Sequence, residues 1–405
     1  MKPIVRAGRM KPVHSDIRGP LFVEAMKRQK QGIDILKLNT GNPATFGFGL
    51  PDSIKNALIE HMQDGVGYCD FKGMPQARQA ICDYETSKGI KGITPDDVFI
   101  GNGVSEVVSF ALTPLLNDGD EVLVPSPSYS LWGNSVYLED GKPVFYTCDE
   151  QANWYPDIQD IRSKITDKTK AIVIINPNNP TGVLYPKEIL LEIIQIAREF
   201  GLLIFADEIY DRLVMDGKQH ISLASLTEDV PVITLNGLSK SHCLCGYRCG
   251  WMVISGPREL TEDYRQGIIQ LTSLRLCANT MAQIVIPAAL DDMETPASMV
   301  RPGGRIYEQR EATVRELEKI DGLSFVKNDA AFYVFPKLDV KKFNITNDKQ
   351  FAHDLLDVTN ILLVPGSGFD WKDPDHFRIV MLPQADILSD AIRRMGTFLD
   401  GYKQK

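Results

Sequence analysis

Residues 170–210 read KAIVIINPNNPTGVLYPKEILLEIIQIAREFGLLIFADEIY. Two unbroken apolar runs, KAIVIIN (170–176) and GLLIFAD (201–207), flank LLEIIQIAREF (190–200), whose apolar residues recur at helical spacing. A strand that does not alternate polar with apolar is covered on both faces, the condition of a parallel sheet held between helices. The stretch therefore predicts strand, crossover helix and parallel strand. Both strands run out into polar residues, and in such sheets ligands bind beyond the carboxyl ends.

The same rhythm extends outward. DVFIG (97–101), EVLVP (121–125), PVFYT (143–147), PVITLNG (231–237) and CGWMVIS (249–255) read as further strands, with a helix from about Ser105. The fold class is α/β, with a large domain built on a mostly parallel sheet flanked by helices. The C-terminal part differs: 324–335, 361–365 and 376–382 read as strands of a smaller sheet, with a helix near 386–400. A chain of 405 residues is too long for one core. The expected division is an N-terminal segment, 1–45, joining the small domain; a large domain, 46–295; and a small α/β domain, 296–405.

Composition narrows the class. Lys and Arg number 44 against 53 Asp and Glu, a net charge of −9, which argues against nucleic acid as partner. The N-terminal twenty residues are charged and do not read as a signal peptide. Apolar runs such as AIVII (171–175) and IVIPAAL (284–290) fall far short of a membrane span. The terminal GYKQK carries no lipidation box. Seven cysteines without framework spacing read as free thiols in a reducing cytoplasm.

Five polar interruptions at strand ends carry the possible chemistry. Gly101–Ser105 (GNGVS) turns a strand into a helix, where backbone N–H groups and the helix dipole favour an anion such as phosphate; a plain glycine turn capped by Ser105 is the simpler reading. Asn176–Gly182 (NPNNPTG) is a rigid elbow dense in side-chain amides, or simply a Pro/Asn turn. Asp207 ends a buried strand, where an unpaired carboxylate is costly. It suits a cationic ring nitrogen, with Tyr210 near a ring oxygen, or else a structural ion pair or cap. Lys240 follows an apolar strand, where desolvation is expected to depress its ammonium and make it a nucleophile; taken alone, a surface lysine is the simpler reading. Arg248, eight residues on, offers a phosphate-shaped fork. Arg378 alternates with Phe377 and Ile379 in a strand and suits a carboxylate, or an edge salt bridge. Cys243, Cys245 and Cys249 lack the further ligand cluster a metal needs, and the six histidines are scattered, so no metal site is expected.

The joint order of these segments resembles the fold-type-I pyridoxal 5′-phosphate (PLP) aminotransferases along essentially the whole chain. The resemblance implies a residue set. Lys240 is the lysine that carries the cofactor and shuttles the proton. Asp207 partners the pyridinium nitrogen, Asn179 and Tyr210 the phenolic oxygen, and Tyr129 stacks on the ring. Gly103, Val104, Ser105, Ser239 and Arg248 form the phosphate cup, joined by Tyr68 from a second subunit, which implies a homodimer. Arg378, with the Gly41 backbone and Asn179, holds the substrate α-carboxylate. Two positions depart from the family pattern: Gly237 stands where many relatives have a serine, and Asn328–Tyr333 (NDAAFY) where many read Pro-x-Gly-Ala/Ser-Phe-Tyr.

SDIRGP (15–20), LNTGNPATFGF (38–48), GYCDFKG (67–73), LNGLSK (235–240), LRLCANT (274–280), PGGRIYEQR (302–310) and PDHFRIVMLP (374–383) are most similar to the bacterial glutamate–pyruvate (alanine) aminotransferases. That resemblance implies alanine and 2-oxoglutarate as substrates, with Arg18 as a cation for the second carboxylate of glutamate or, more plainly, a domain-docking salt bridge. The alternatives are an aminotransferase for branched or aromatic amino acids, a PLP-dependent carbon–sulfur lyase, and a non-catalytic PLP-binding regulator, for which no basic helix-turn-helix region is visible.

Overall fold

The computed structural model describes residues 2–405. Its centre is one eight-stranded sheet: β1 (Val98–Asn102), β2 (Glu121–Ser126), β3 (Lys142–Asp149), β4 (Tyr155–Pro156), β5 (Thr169–Ile175), β6 (Leu203–Asp207), β7 (Val232–Gly237) and β8 (Cys249–Ser255). The spatial order is β1-β8-β7-β6-β5-β2-β3-β4. Strands β3, β2, β5, β6 and β7 run parallel to one another, β4 pairs antiparallel with β3, and β8 lies antiparallel between β7 and β1.

Successive residues of one strand enter different cores, which is why the runs do not alternate. Ile172 and Ile174 pack with Leu190, Ile193, Ile194 and Ala197 of helix Lys187–Phe200 on one face. Ala171, Val173 and Ile175 pack with Val107, Val108 and Leu112 of helix Val104–Leu112 on the other. Each such side chain contributes about 1.5–3 kcal/mol by leaving water. Truncating Ile172 to Ala would cost ~2–5 kcal/mol, because rigid neighbours on both sides cannot collapse into the gap.

A second core gathers the C-terminal elements and one N-terminal residue, Leu38, around Phe351, Leu355, Phe377, Ile379, Leu388, Ile392 and Met395. Leu36–Lys37 pairs in parallel with Ile361–Leu362, which ties the N-terminal segment to this region. Tyr333–Val334 and Val364–Pro365 flank Phe377–Val380, both antiparallel to it. The strand expected over 324–335 is corrected: strand pairing is confined to Leu323–Ser324 and Tyr333–Val334, with a single antiparallel bridge from Ala330 to Val214. Between them the backbone amides of Asp329 and Ala330 donate to Gly182 O at 3.0 and 2.9 Å, so this stretch docks on the NPNNPTG elbow instead of extending a ladder. Gly182, at φ +70°, admits it; a Cβ there would run into Asn328 and the backbone of Ala330 and Tyr333. Among the described residues no single helix is long and apolar enough to cross a membrane.

Candidate active site

The polar ends of β5, β6 and β7 meet the C-terminal strand Phe377–Val380 and the loop Asn39–Gly41 in one buried cluster. Lys240 lies in the short helix Leu238–Ser241 that follows β7. Its Nζ donates to Gly41 O at 3.0 Å and stands 5.9 Å from the centre of the Phe332 ring. The expected depression of its ammonium is corrected. Burial pulls the group down, but the Tyr333, Cys245 and Tyr129 side chains around it outweigh that pull and hold it above its ordinary value. Lysine 240 therefore keeps its proton in the cofactor-free chain.

Asp207 closes β6 and is buried. Burial pushes its carboxyl up to about 6, against the opposing pull of its hydrogen bonds. Oδ2 accepts from the indole Nε1 of Trp132 at 3.1 Å, and Oδ1 from the Ile209 amide at 3.4 Å. Among the described residues no cation forms an ion pair with it, so the site holds a carboxyl group whose charged form a positive ligand would favour.

Arg378 is the complementary case. It is fully buried, and its fork points at neutral acceptors: Nη1 donates to Asn179 Oδ1 at 2.9 Å and Nη2 to Asn39 O at 2.5 Å. Tyr333 and Phe369 rings lie on it, each 4.6 Å from ring centre to guanidinium carbon. Burial pulls the guanidinium below its ordinary value, and Nε has no partner. A buried guanidinium without a carboxylate is a receptor for one. Tyr210 Oη and Tyr333 Oη share a hydrogen bond of 2.8 Å beside it. Tyr129 is half-buried and lies close enough to act on both Lys240 and Arg378.

The anion-type turn forms as well. Gly103, at φ +86°, opens helix Val104–Leu112, and a Cβ on it would strike the Arg248 guanidinium. Arg248 thus sits over the first amides of that helix, with Nη1 also donating to Cys245 O at 2.9 Å. Ser105 and Arg248 are exposed, and Val104 and Ser239 half-buried, so the cradle opens outward. Glycine at 237 is a packing need, since a Cβ there would meet the Cys249 carbonyl and Gly250.

Two residues named from sequence stay outside this cluster. Tyr68 is 84% exposed and makes no hydrogen bond among the described residues. Arg18 is exposed and lines a groove with Phe22, Lys37, Thr40, Asn42 and Phe46; it forms no ion pair among the described residues. The reading from sequence missed Trp132, Tyr333 and Asn39. Only Trp132 left a signal, in PSPSYSLW (125–132), three residues after Tyr129.

The donor set fits PLP. A buried carboxylate lacking a cation, a glycine cradle under an arginine at a helix start, and a half-buried lysine match the ring nitrogen, phosphate and aldehyde of that molecule. The aminotransferase class I and II family pattern covers residues 33–392. A protein of Haemophilus influenzae named glutamate–pyruvate aminotransferase is 50% identical over 404 residues, with all of both chains covered. The crystal structure of an aminotransferase from Escherichia coli superposes with a TM-score of 0.98 at 47% identity, covering 100% of both chains. That of alanine aminotransferase from Pyrococcus furiosus gives 0.93 at 41%, covering 98% of this chain and all of the other. With this site and these relatives, the chain belongs to the class I and II aminotransferases and is a PLP-dependent enzyme acting on amino acids and 2-oxo acids.

Proposed function

We propose that the enzyme moves the amino group between L-alanine and 2-oxoglutarate, giving pyruvate and L-glutamate. The observation that carries it is the buried Arg378 fork, which has no carboxylate of its own, beside Lys240. The substrate pair follows the names of the full-length relatives.

The residue roles belong to the same proposal. Bound PLP supplies an electron sink for the substrate carbon once its α-hydrogen leaves. Lys240 Nζ carries the cofactor and then moves the proton from the substrate Cα. Asp207, held by Trp132, keeps the ring nitrogen charged, and Asn179 and Tyr210 bind the phenolic oxygen. Tyr129 covers one ring face. Gly103, Val104, Ser105, Ser239 and Arg248 hold the phosphate. Arg378 fixes the α-carboxylate with Asn179 and the Gly41 backbone, and Arg18, in its groove, takes the second carboxylate of glutamate. Proton transfer by a positioned base contributes roughly 10²–10⁴-fold.

A homodimer with shared sites completes the proposal, with Tyr68 reaching the phosphate of a second copy. Support comes from exposed Met62, Val66, Tyr68, Leu274, Leu276 and Met281. Met281 adjoins Gly65, and Thr280 Oγ1 donates to Gly65 O at 2.7 Å, so Met281 lies against the segment that carries Met62 and Val66. The division at residues 45 and 295 goes with it, since it lets the small domain deliver Asn39, Gly41 and Arg378 to the large sheet. Seven unpaired thiols favour a cytoplasmic location.

The test is an absorbance titration of purified protein. A visible band that fades with L-alanine and returns with 2-oxoglutarate supports both half-reactions. A band indifferent to alanine removes the proposed donor. Pyruvate released from a sulfur amino acid without any 2-oxo acid acceptor makes the enzyme a lyase instead.

A further inference from the structure

Beside the Asp207–Tyr210 turn the chain buries a charge cluster that none of these roles uses. At its centre is Lys88, at the C-terminal end of helix Pro75–Ser87. Its Nζ lies 2.7 Å from Glu85 Oε2, 2.8 Å from Glu208 Oε2 and 3.1 Å from Asp211 Oδ2. Glu208, Asp211 and His220 stand close enough to one another to hold a metal ion, but the ammonium already lies among them.

We propose that Lys88 is a positioning residue for cofactor binding: its ammonium locks together the separate strand ends that carry Asp207, Tyr210 and Lys240. Glu208 follows Asp207 directly. One of its oxygens takes Lys88, and the other accepts from Ser222 Oγ at 2.9 Å and Leu223 N at 3.0 Å, so the turn after β6 is gripped from two sides. Asp211 follows Tyr210. Its Oδ2 accepts from Tyr84 Oη at 2.6 Å and Asn236 Nδ2 at 2.7 Å. Asn236 Oδ1 in turn takes the Gly237 amide at 2.7 Å, three residues before Lys240. His220 shares a hydrogen bond of 3.1 Å with Asn176 O, where the elbow bearing Asn179 begins. Trp251 on β8, three residues past Arg248, donates to Glu85 Oε1 at 3.2 Å. The network around one ammonium thus reaches the segments that carry Asp207, Tyr210, Lys240, Asn179 and Arg248.

The charges make it the cation this cluster depends on. Burial pushes the Glu85 carboxyl up against the opposing pull of Lys88, and burial pulls His220 down. Lys88 is the cation in direct contact with both Glu208 and Asp211, while Arg212, over the Tyr84 ring, acts on Asp211 from farther off. Burial pushes Asp211 up, but Lys88, the largest opposing charge, acts with His220, the Tyr84 hydrogen bond and Arg212 to hold the carboxyl below its ordinary range. Without the ammonium, two buried carboxylates repel across the turn that aims Asp207 and Tyr210. Sites of this kind tolerate errors of only about 0.5 Å.

The inference rests on the roles proposed for Asp207 and Lys240, and its readout is PLP binding, which does not depend on the amino donor. Lys88→Met keeps the length and removes the charge; Lys88→Arg restores a cation. Full-length protein is stripped of PLP, and its thermal midpoint is measured with and without added cofactor, alongside the PLP dissociation constant. Lys88→Met is expected to weaken PLP roughly 10–100-fold, the range for groups that orient a ligand's partners from behind. It should also shrink the midpoint gain on adding PLP, and Lys88→Arg should recover part of both. Ser222→Ala, which frees one side of Glu208, should weaken PLP several-fold with little change in the cofactor-free midpoint. If Lys88→Met lowers only the cofactor-free midpoint and leaves the dissociation constant within about twofold, Lys88 only stabilises the fold and the proposal fails. If Lys88→Met does not fold, an unchanged dissociation constant in Ser222→Ala overturns it.

Discussion

Replacing Asp207 with Asn should make the PLP-free protein more stable at neutral pH while crippling the enzyme. In an unfolded chain an aspartate titrates near 3.9; in this fold burial pushes it up to about 6. The folded state therefore binds the proton more tightly than the unfolded state. Stability falls as pH rises through that window. At ~1.36 kcal/mol per pH unit, the full penalty above pH 6 is about 3 kcal/mol. Asparagine keeps the shape and an acceptor for Trp132 Nε1, 3.1 Å away in the wild type. Its buried amide returns about 1–2 kcal/mol of that gain as unmet hydrogen bonding. The assay is urea unfolding of PLP-free wild type and Asp207→Asn at pH 4.5 and pH 8. The stability difference should move in favour of Asn by about 2 kcal/mol between the two pH values. Turnover with PLP should drop ~10²–10³-fold, as when one preorganised electrostatic partner is removed. A difference that does not change with pH would refute the idea that this carboxylate waits uncompensated for a cationic ligand.

Lys240→Ala should abolish transamination without unfolding the chain, and borohydride reduction should no longer fix PLP to the protein; retained turnover sinks the assignment. Arg378→Met should raise KM for both amino and 2-oxo acids by roughly 30-fold or more, the effect of losing a buried charge partner worth ~2–5 kcal/mol, while PLP binding changes little; steady-state kinetics with a direct PLP titration separates the two. His376 is fully buried, shares a 2.7 Å hydrogen bond with Asp375 and lies 3.5 Å from Glu150. Burial pushes Asp375 up, but the His376 hydrogen bond helps to outweigh it and brings the carboxyl to about 2; burial pulls His376 down, but Asp375 and Glu150 raise it overall. The Asp375 contribution is present above pH ~4 and lost as pH falls toward 2, and that of His376 is present below pH ~6.5 and lost as pH rises through its raised value. His376→Asn should shift acid unfolding, followed by circular dichroism, to higher pH; an unchanged acid midpoint refutes the pairing.

Much of the large sheet was readable because its cause is local. Residues 170–207 carry two strands whose neighbours in sequence enter opposite cores, and a helix with one apolar face. The small region was read less well. The stretch 324–335 is apolar enough for a strand, but its amides at Asp329 and Ala330 are taken by Gly182, about 150 residues earlier in the chain. No periodicity records that contact. The protonation of Lys240 was misjudged for the same reason: desolvation can be read from an apolar strand, but the Tyr333, Cys245 and Tyr129 groups that reverse its effect come from elsewhere.

By itself, the order of residues determined the α/β class, the strand ends that carry chemistry, and Lys240, Asp207, Arg248 and Arg378 as the groups to watch. Lys240 and Asp207 follow or end apolar strands, and the joint order of such segments along the chain, more than any one of them, singles these residues out. Only the tertiary structure decided what surrounds them. Trp132 reaches Asp207 across 75 residues, Tyr333 reaches Tyr210 across 123, Lys88 reaches Glu208 across 120, and Asn39 meets Arg378 across 339. Burial and pairing shift the titration of Asp207, Lys88 and Arg378, and both are properties of the packed chain, created when distant segments exclude water together.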